Sequence, residues 1–186
     1  MDEAEVVAAF IDALNAAEIP HMLVGSFSSN AYGIERSTKD ADFVVQLGNT
    51  PLSKLLNRLP SGFRLESQIG FETITSTTRY RVQYDPLPYM IELFEVSDEG
   101  HDQLRFQHRI PTSYAGRKTF LPRPEDVVIT KLRWSLGRKS RAKDVDDVRN
   151  VLSVQKGKLD LSYIRQWCDQ QGTLAILEDL LAEIPD

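Results

Sequence analysis

Residues 24–47 read VGSFSSNAYGIERSTKDADFVVQL, and this stretch decides the fold. Met22-Leu23-Val24 is a short apolar run that enters Gly25-Ser26, and the small and polar residues from Ser26 to Tyr32 suit a helix that packs closely. A strand feeding a helix through Gly-Ser makes an anion site: glycine lets a ligand approach the backbone, the first-turn N–H groups are free, and the Ser26 hydroxyl adds a donor. Asp40 and Asp42 stand one residue apart and run into Phe43-Val44-Val45, so on a strand both carboxylates leave the same face. Two acids in so small a volume resist ionisation unless a cation lies between them. Magnesium, with its preference for oxygen ligands, is the natural candidate.

Together, Gly25-Ser26, a helix, and Asp40-x-Asp42 on the next strand resemble the active-site signature of the polymerase-beta-like nucleotidyltransferase superfamily. Thirteen residues separate Ser26 from Asp40, a spacing such families tolerate. The pattern GSxxxxxxGxxRSTxDxD, with the later PEDVVITKLRW and RAKDVDDVRNVL, looks more narrowly like the bacterial branch that includes the AbiEii-type toxins. The resemblance implies an α/β (α+β) nucleotidyltransferase fold, a mixed β-sheet flanked by helices and followed by a C-terminal helical bundle. It implies a catalytic domain over 1–121 and a helical region over 122–186 packed on it.

Composition is compatible with this and narrows little. A chain of 186 residues, 41% hydrophobic and 26% charged, has the make-up of an ordinary globular protein with a buried core. No run of about eighteen apolar residues occurs, and Asp2, Glu3 and Glu5 stand where a signal peptide needs basic residues, so a cytoplasmic protein with no membrane partner is expected. Cys168 is the one cysteine, which excludes an intrachain disulfide and a cysteine metal site. His21, His101 and His108 lack ligand spacing. A net charge of −5 argues against a surface that is basic throughout.

Outward from the opening stretch, residues 2–17 carry Val7, Phe10, Ile11 and Leu14 at helical spacing, ahead of a first strand over 21–24. Arg36, in the polar loop before Asp40, could hold a phosphate or acceptor, or neutralise Asp40 or Asp42. Thr50-Pro51 opens a helix with Leu52, Leu55, Leu56 and Leu59, closed by Pro60. Residues 63–96 alternate as three or so strands, the last carrying Glu92 between Ile91 and Leu93. By the resemblance Glu92 is the third metal-binding carboxylate, although many relatives have Asp there and Glu95 lies nearby on the opposite face; otherwise it is a strand-edge acid. Residues 97–122 are broken by Gly100, Pro111 and Gly116, with RFQHRI and RKTFL as candidate short strands. Leu121-Pro122-Arg123-Pro124 reads as a joint.

Pro124-Glu125-Asp126 starts a helix on which Val128, Leu132 and Leu136 recur, with Lys131 beside the apolar stripe. Lys131 matches an active-site lysine of the toxin-like relatives, or it snorkels to the surface. Arg138, Lys139, Arg141 and Lys143, with Arg133 nearby, are either an RNA contact or a solvated turn. Asp144 and Asp147 share a helix face, with Val145, Val148 and Leu152 on the buried side. The resemblance makes an acid of this segment functional, Asp144 first and Asp147 second; the plainer role is a cap or an ion-pair partner of Lys143 or Arg141. Two last helices, over 160–171 and 173–183, pair as core.

The activity implied is magnesium-dependent transfer of a nucleoside monophosphate from a nucleoside triphosphate such as ATP to an acceptor hydroxyl. Two Mg2+ ions would bind Asp40, Asp42 and Glu92, while Gly25, Ser26, Arg36 and Lys131 would hold the nucleotide, and Asp144 would join the catalytic set. The acceptor could be RNA such as tRNA, a protein or a small molecule such as an aminoglycoside. A toxin role would add an antitoxin partner. Asp-x-Asp pairs in phosphatases and glycosyltransferases usually follow an apolar strand, whereas here the strand follows the pair. The alternative from another class is a non-catalytic module of the same fold that binds nucleotide, RNA or a partner.

Overall fold

The computed structural model describes residues 1–137 and 142–184. Its contacts divide the chain into two compact units, one of Met1–Gly25 with Thr38–Leu121, the other of Ser26–Ser37 with Pro122–Asp186. The chain therefore leaves the first unit at the Gly25–Ser26 peptide and returns to it at Thr38.

In the first unit, helix α1 (Glu3–Ala16) opens with a capping box, the Asp2 side chain accepting from Glu5 N–H and the Glu5 side chain from Asp2 N–H. Its apolar face, with Val6, Val7, Phe10, Ile11 and Leu14, is buried. Strand β1 (His21–Leu23) then runs toward helix α2 (Gly25–Tyr32), of which only Gly25 belongs to this unit. With β1, strands β2 (Asp40–Val45), β3 (Phe63–Leu65), β4 (Gly70–Glu72), β5 (Thr77–Tyr84) and β6 (Tyr89–Glu95) form a mixed sheet in the order β1-β2-β6-β5-β3, with β4 also on β5. Among the described residues only β2 and β6 run parallel; the other pairs of this sheet are antiparallel. Side chains alternate between faces, so Ala41, Phe43, Val45, Ile91, Leu93 and Val82 share one buried face. The Phe10 and Phe43 rings meet there with centroids 5.5 Å apart. The opposite face carries Asp40, Asp42 and Glu92.

Helix α3 (Leu52–Leu56) is short and does not reach Leu59, and four strands occupy the region expected to hold three or so. The larger correction is at 97–109. Arg105, Phe106 and Gln107 end helix α4 (Gly100–Gln107), so RFQHRI is not a strand; only Ile110 begins β7 (Ile110–Tyr114). The helix escapes notice because its buried face is largely polar. Asp102 accepts from Ser97 Oγ at 2.6 Å and pairs with Arg105 at 3.0 Å, so charge pairing replaces apolar periodicity. Strand β7 turns through Ala115 and Gly116, both at positive φ (46° and 78°), the two-residue geometry that matches strand twist, into β8 (Arg117–Leu121).

The second unit is helical. It takes residues 26–32 of α2 together with α5 (Pro124–Ser135), α6 (Ala142–Val154), α7 (Leu161–Gln170) and α8 (Leu174–Glu183). Pro124 sits in the first turn of α5, the Asp160 side chain caps α7 through Tyr163 N–H, and Gly172 at φ +73° follows the end of α7. Val128, Ile129, Leu132, Val148, Val151, Leu152, Ile164, Cys168, Leu177 and Leu180 make one apolar core. Burial raises the pKa of the Cys168 thiol, as expected of a packing cysteine. Among the described residues no helix is long and apolar enough to cross a membrane.

Candidate active site

The carboxylates of the sheet are positioned by strand register. Parallel pairing sets Asp42 beside Glu92 and Asp40 beside Met90, so the three acids lie on one face of two adjacent strands. Asp40 and Asp42 are partly exposed at the start of β2, and the Thr38 hydroxyl donates to Asp40 Oδ1 at 2.8 Å. Val24 N–H donates to Asp42 C=O at 2.8 Å, which ties the end of β1 to the acidic strand.

Gly25 follows at φ +61°, and a Cβ on it would fall 2.0 Å from Asp42 Oδ2 and 2.9 Å from its Cγ. Only glycine permits both that conformation and that approach. The Gly-Ser turn is thus built against one of the paired aspartates.

Glu92 has two neighbours of opposite kind. On its other side antiparallel register sets Arg81 directly beside it, and Arg81 Nε donates to Glu92 Oε1 at 2.9 Å. Arg79 Nη1 approaches the same oxygen at 3.7 Å, and Arg81 Nη1 also lies 3.8 Å from Glu66 Oε2. Glu95, on the opposite face, accepts from the Tyr80 hydroxyl at 2.8 Å. Burial, then that carboxylate, pushes the Tyr80 pKa up to about 12.

The donor set is chemically that of a hard cation: three carboxylates, no nitrogen or sulfur. Asp40 and Asp42 supply adjacent oxygens, and Glu92 stands in register with them. Among the described residues, however, no three His, Cys, Asp or Glu side chains converge closely enough to hold an ion as they stand. On this face Glu92 is engaged by Arg81 at 2.9 Å. By the chemistry of their oxygens the three acids suit a divalent ion.

The remaining residues singled out from the sequence lie in the helical unit, joined in one buried ion network. Arg36 donates from Nε to Asp147 Oδ1 and from Nη2 to Asp147 Oδ2, both at 2.8 Å, a bidentate pair; Nη2 also donates to Ser26 Oγ at 2.9 Å. Arg36 thus pairs with an aspartate 111 residues away. The Asn30 side chain holds it there, accepting from Arg36 N–H and donating to Arg36 C=O at 2.7 Å. Lys131 is buried rather than snorkelling, and its Nζ donates to Asp144 Oδ1 at 3.0 Å and Asp147 Oδ2 at 2.9 Å. The Ser29 hydroxyl lies 3.1 Å from Asp147 Oδ2.

Asp144 and Asp147 are themselves buried, at 2% and 4% exposure, so their helix face is not the solvated one. Burial opposes ionisation of Asp147, but the hydrogen bonds and charges of Arg36 and Lys131 together outweigh it and pull its pKa down to about 2. Asp147 is the hub of the network, whereas the resemblance ranks Asp144 ahead of it. Arg79 and Arg81 also escape the sequence reading, although their i, i+2 spacing in TTRYRVQY places both on the face of Glu92 once the strand is drawn. Of the basic cluster, Arg138, Lys139 and Arg141 lie outside the described residues; Lys143 is exposed.

No protein-family model matches the chain, and none of the curated proteins matches it in sequence. Solved structures do resemble it. ANT(2'')-Ia in complex with adenylyl-2''-tobramycin superposes with a TM-score of 0.63 at 10% identity over 92% of this chain and 98% of that one. An antigenic nucleotidyltransferase-like protein from Paracoccidioides brasiliensis gives 0.54 at 19% identity, over 100% and 95%. The lincosamide antibiotic adenylyltransferase LnuA, lincomycin-bound, gives 0.51 at 14% identity, over 81% and 96%. The chain has the fold of these nucleotidyltransferases: a mixed α/β unit and a following set of helices.

Proposed function

We propose that the protein transfers a nucleoside monophosphate from a nucleoside triphosphate to an acceptor hydroxyl, with release of pyrophosphate. One observation carries the reading: the parallel β2–β6 register that stands Asp42 beside Glu92, with Asp40 on the same face. Like charges directly side by side across a sheet destabilise it, and Arg81 offsets Glu92 here. A divalent cation bound by the acids would offset the set as a whole.

Asp40 and Asp42 are the residues that would hold Mg2+, one ion or two, with Glu92 as the further ligand. When bound, magnesium would polarise the α-phosphate and favour the alkoxide form of the acceptor hydroxyl. Gly25 keeps the backbone close to the Asp42 carboxylate. The resemblance assigns Ser26, Arg36 and Lys131 to the triphosphate, and all three side chains belong to the Asp147 network. Asp144, which accepts from Lys131 Nζ at 3.0 Å, holds that ammonium in place.

Likeness to ANT(2'')-Ia with its adenylylated tobramycin, and to the adenylyltransferase LnuA, supports adenylyl as the transferred group and a small antibiotic-like molecule as acceptor. Resemblance to the AbiEii-type branch supports instead RNA such as tRNA, or a protein, as acceptor in the cytoplasm, with a toxin role and an antitoxin partner. A second reading has one observation in its favour: with Glu92 held by Arg81, the fold could bind nucleotide without chemistry.

The test is incubation with each α-labelled nucleoside triphosphate and Mg2+, supplying RNA, protein and aminoglycoside pools as acceptors. Magnesium-dependent label in one pool establishes transfer and names the acceptor class. Binding of nucleotide without label in any pool establishes the non-catalytic module.

A further inference from the structure

Glu92 is flanked in register by Asp42 on one strand and Arg81 on the other. Without a cation, the acid repels Glu92 and the guanidinium attracts it. The structure shows the outcome, a 2.9 Å bond from Arg81 Nε with Arg79 Nη1 at 3.7 Å from the same oxygen. A divalent ion at Asp40 and Asp42 reverses both forces, because it attracts Glu92 and repels the arginine.

We propose that Arg81 and Glu92 form a latch in which the arginine withholds the third carboxylate until a divalent cation competes for it. This rests on the reading of Asp40 and Asp42 as cation ligands. The latch has a second resting position already in reach: Glu66, whose N–H donates to Arg81 C=O at 2.9 Å and whose carboxylate lies 3.8 Å from Arg81 Nη1. Arg81 can swing from Glu92 to Glu66 without leaving the sheet face, so opening does not strand the guanidinium without a counter-charge. Arg79, with Nε buried and lacking a hydrogen-bond partner, is the weaker, secondary hold on Glu92. Arg81 acts through Glu92, which makes it a positioning residue.

A double-mutant cycle on the nucleotide-free protein separates the latch from simple charge repulsion. Manganese stands in for magnesium, and free Mn2+ is read by electron paramagnetic resonance in wild type, Arg81→Met, Glu92→Gln and the double variant. Removing a positive charge tightens Mn2+ binding in any background by its long-range repulsion alone. The latch adds a further gain of about tenfold, present only where Glu92 remains, since a hydrogen bond to a charged partner no longer has to be broken. Arg81→Lys, which keeps the charge and can still pair, should bind Mn2+ as wild type does.

An Arg81→Met gain of the same size with and without the Glu92→Gln substitution, or weaker binding in Arg81→Met, would overturn the latch. The readout is independent of turnover. Non-additive Mn2+ binding in a protein that transfers no nucleotide would leave the latch standing and remove the proposed function. Transfer with strictly additive Mn2+ binding would do the reverse.

Discussion

Two sets of charged residues are brought together in this chain, and they are built on opposite rules. On the sheet face, like charges are neighbours: Asp40 and Asp42 share one strand and Glu92 stands in register beside Asp42. In the helical unit, opposite charges alternate: Arg36, Asp147, Lys131 and Asp144 form a chain of pairs with bonds of 2.8–3.0 Å. The first set is partly exposed, with Asp40 and Asp42 on one strand face and Glu92 paired to Arg81; in the second, Asp147, Lys131 and Asp144 are buried and Arg36 is one-third exposed, two cations matched to two anions. A network of the second kind can be explained by folding alone, since its buried charges are matched by partners of opposite sign. Pairing explains less of the first, where Asp40 and Asp42 leave the same face of one strand. The difference says where to look for a ligand: at the charges the fold holds together against their own repulsion.

The sharpest way to break this contrast is to neutralise one acid of the sheet face. Asp40→Asn should lower nucleotidyl transfer by roughly 10³-fold or more, since a ligand to the catalytic cation is lost, while leaving the thermal midpoint equal or higher. A variant that loses stability in proportion to activity would put Asp40 in the class of Asp147. Next in size is Gly25→Ala. Its Cβ would collide with the Asp42 carboxylate in a backbone conformation that disfavours alanine, so transfer should drop about 10²-fold through misplacement of that group. Circular dichroism should show the fold retained, with a stability cost of about 1–2 kcal/mol.

The helical set should respond in stability instead. Asp147→Ala removes the carboxylate that both Arg36 and Lys131 bond, and unfolding in urea should show a loss of about 3–5 kcal/mol. Acid titration probes the same residue more gently. The folded-state pKa of Asp147 lies near 2 against 3.8 in the unfolded chain, so its stabilisation is complete above about pH 4 and is lost as pH falls toward 2. The loss is about 2 kcal/mol, and Asp147→Asn should lack that part of the acid transition. Smallest of all is Arg165→Ala, which removes a 2.7 Å pair with Glu178 in which both side chains are 46% exposed. It should change stability by less than about 1 kcal/mol, showing that burial and not pairing alone sets the scale.

What can be seen along the chain is whatever depends on near neighbours. The Asp40-x-Asp42 alternation before an apolar run marks both the strand and the face its acids occupy, and Gly25-Ser26 marks the turn. The mixed sheet with following helices is the architecture expected from those signals and the resemblance. Helix α4 escapes because Asp102 and Arg105 bury through mutual pairing, and hydrophobic periodicity does not register that. For Arg36 the local sequence offers phosphate, Asp40 or Asp42, whereas its partner Asp147 is 111 residues away on another helix. Arg81 on Glu92 depends on strand register, which no local pattern specifies. Distance along the chain, more than chemistry, limits the reading.

The most direct test of the central claim is pyrophosphate release measured alongside incorporation of α-label, for wild type and Asp42→Asn at matched folded concentration with Mg2+ present. Wild type should give stoichiometric label and pyrophosphate and Asp42→Asn neither, with both proteins equally folded. Equal turnover by the two would contradict it, because the paired carboxylates of the sheet would then have no part in the reaction.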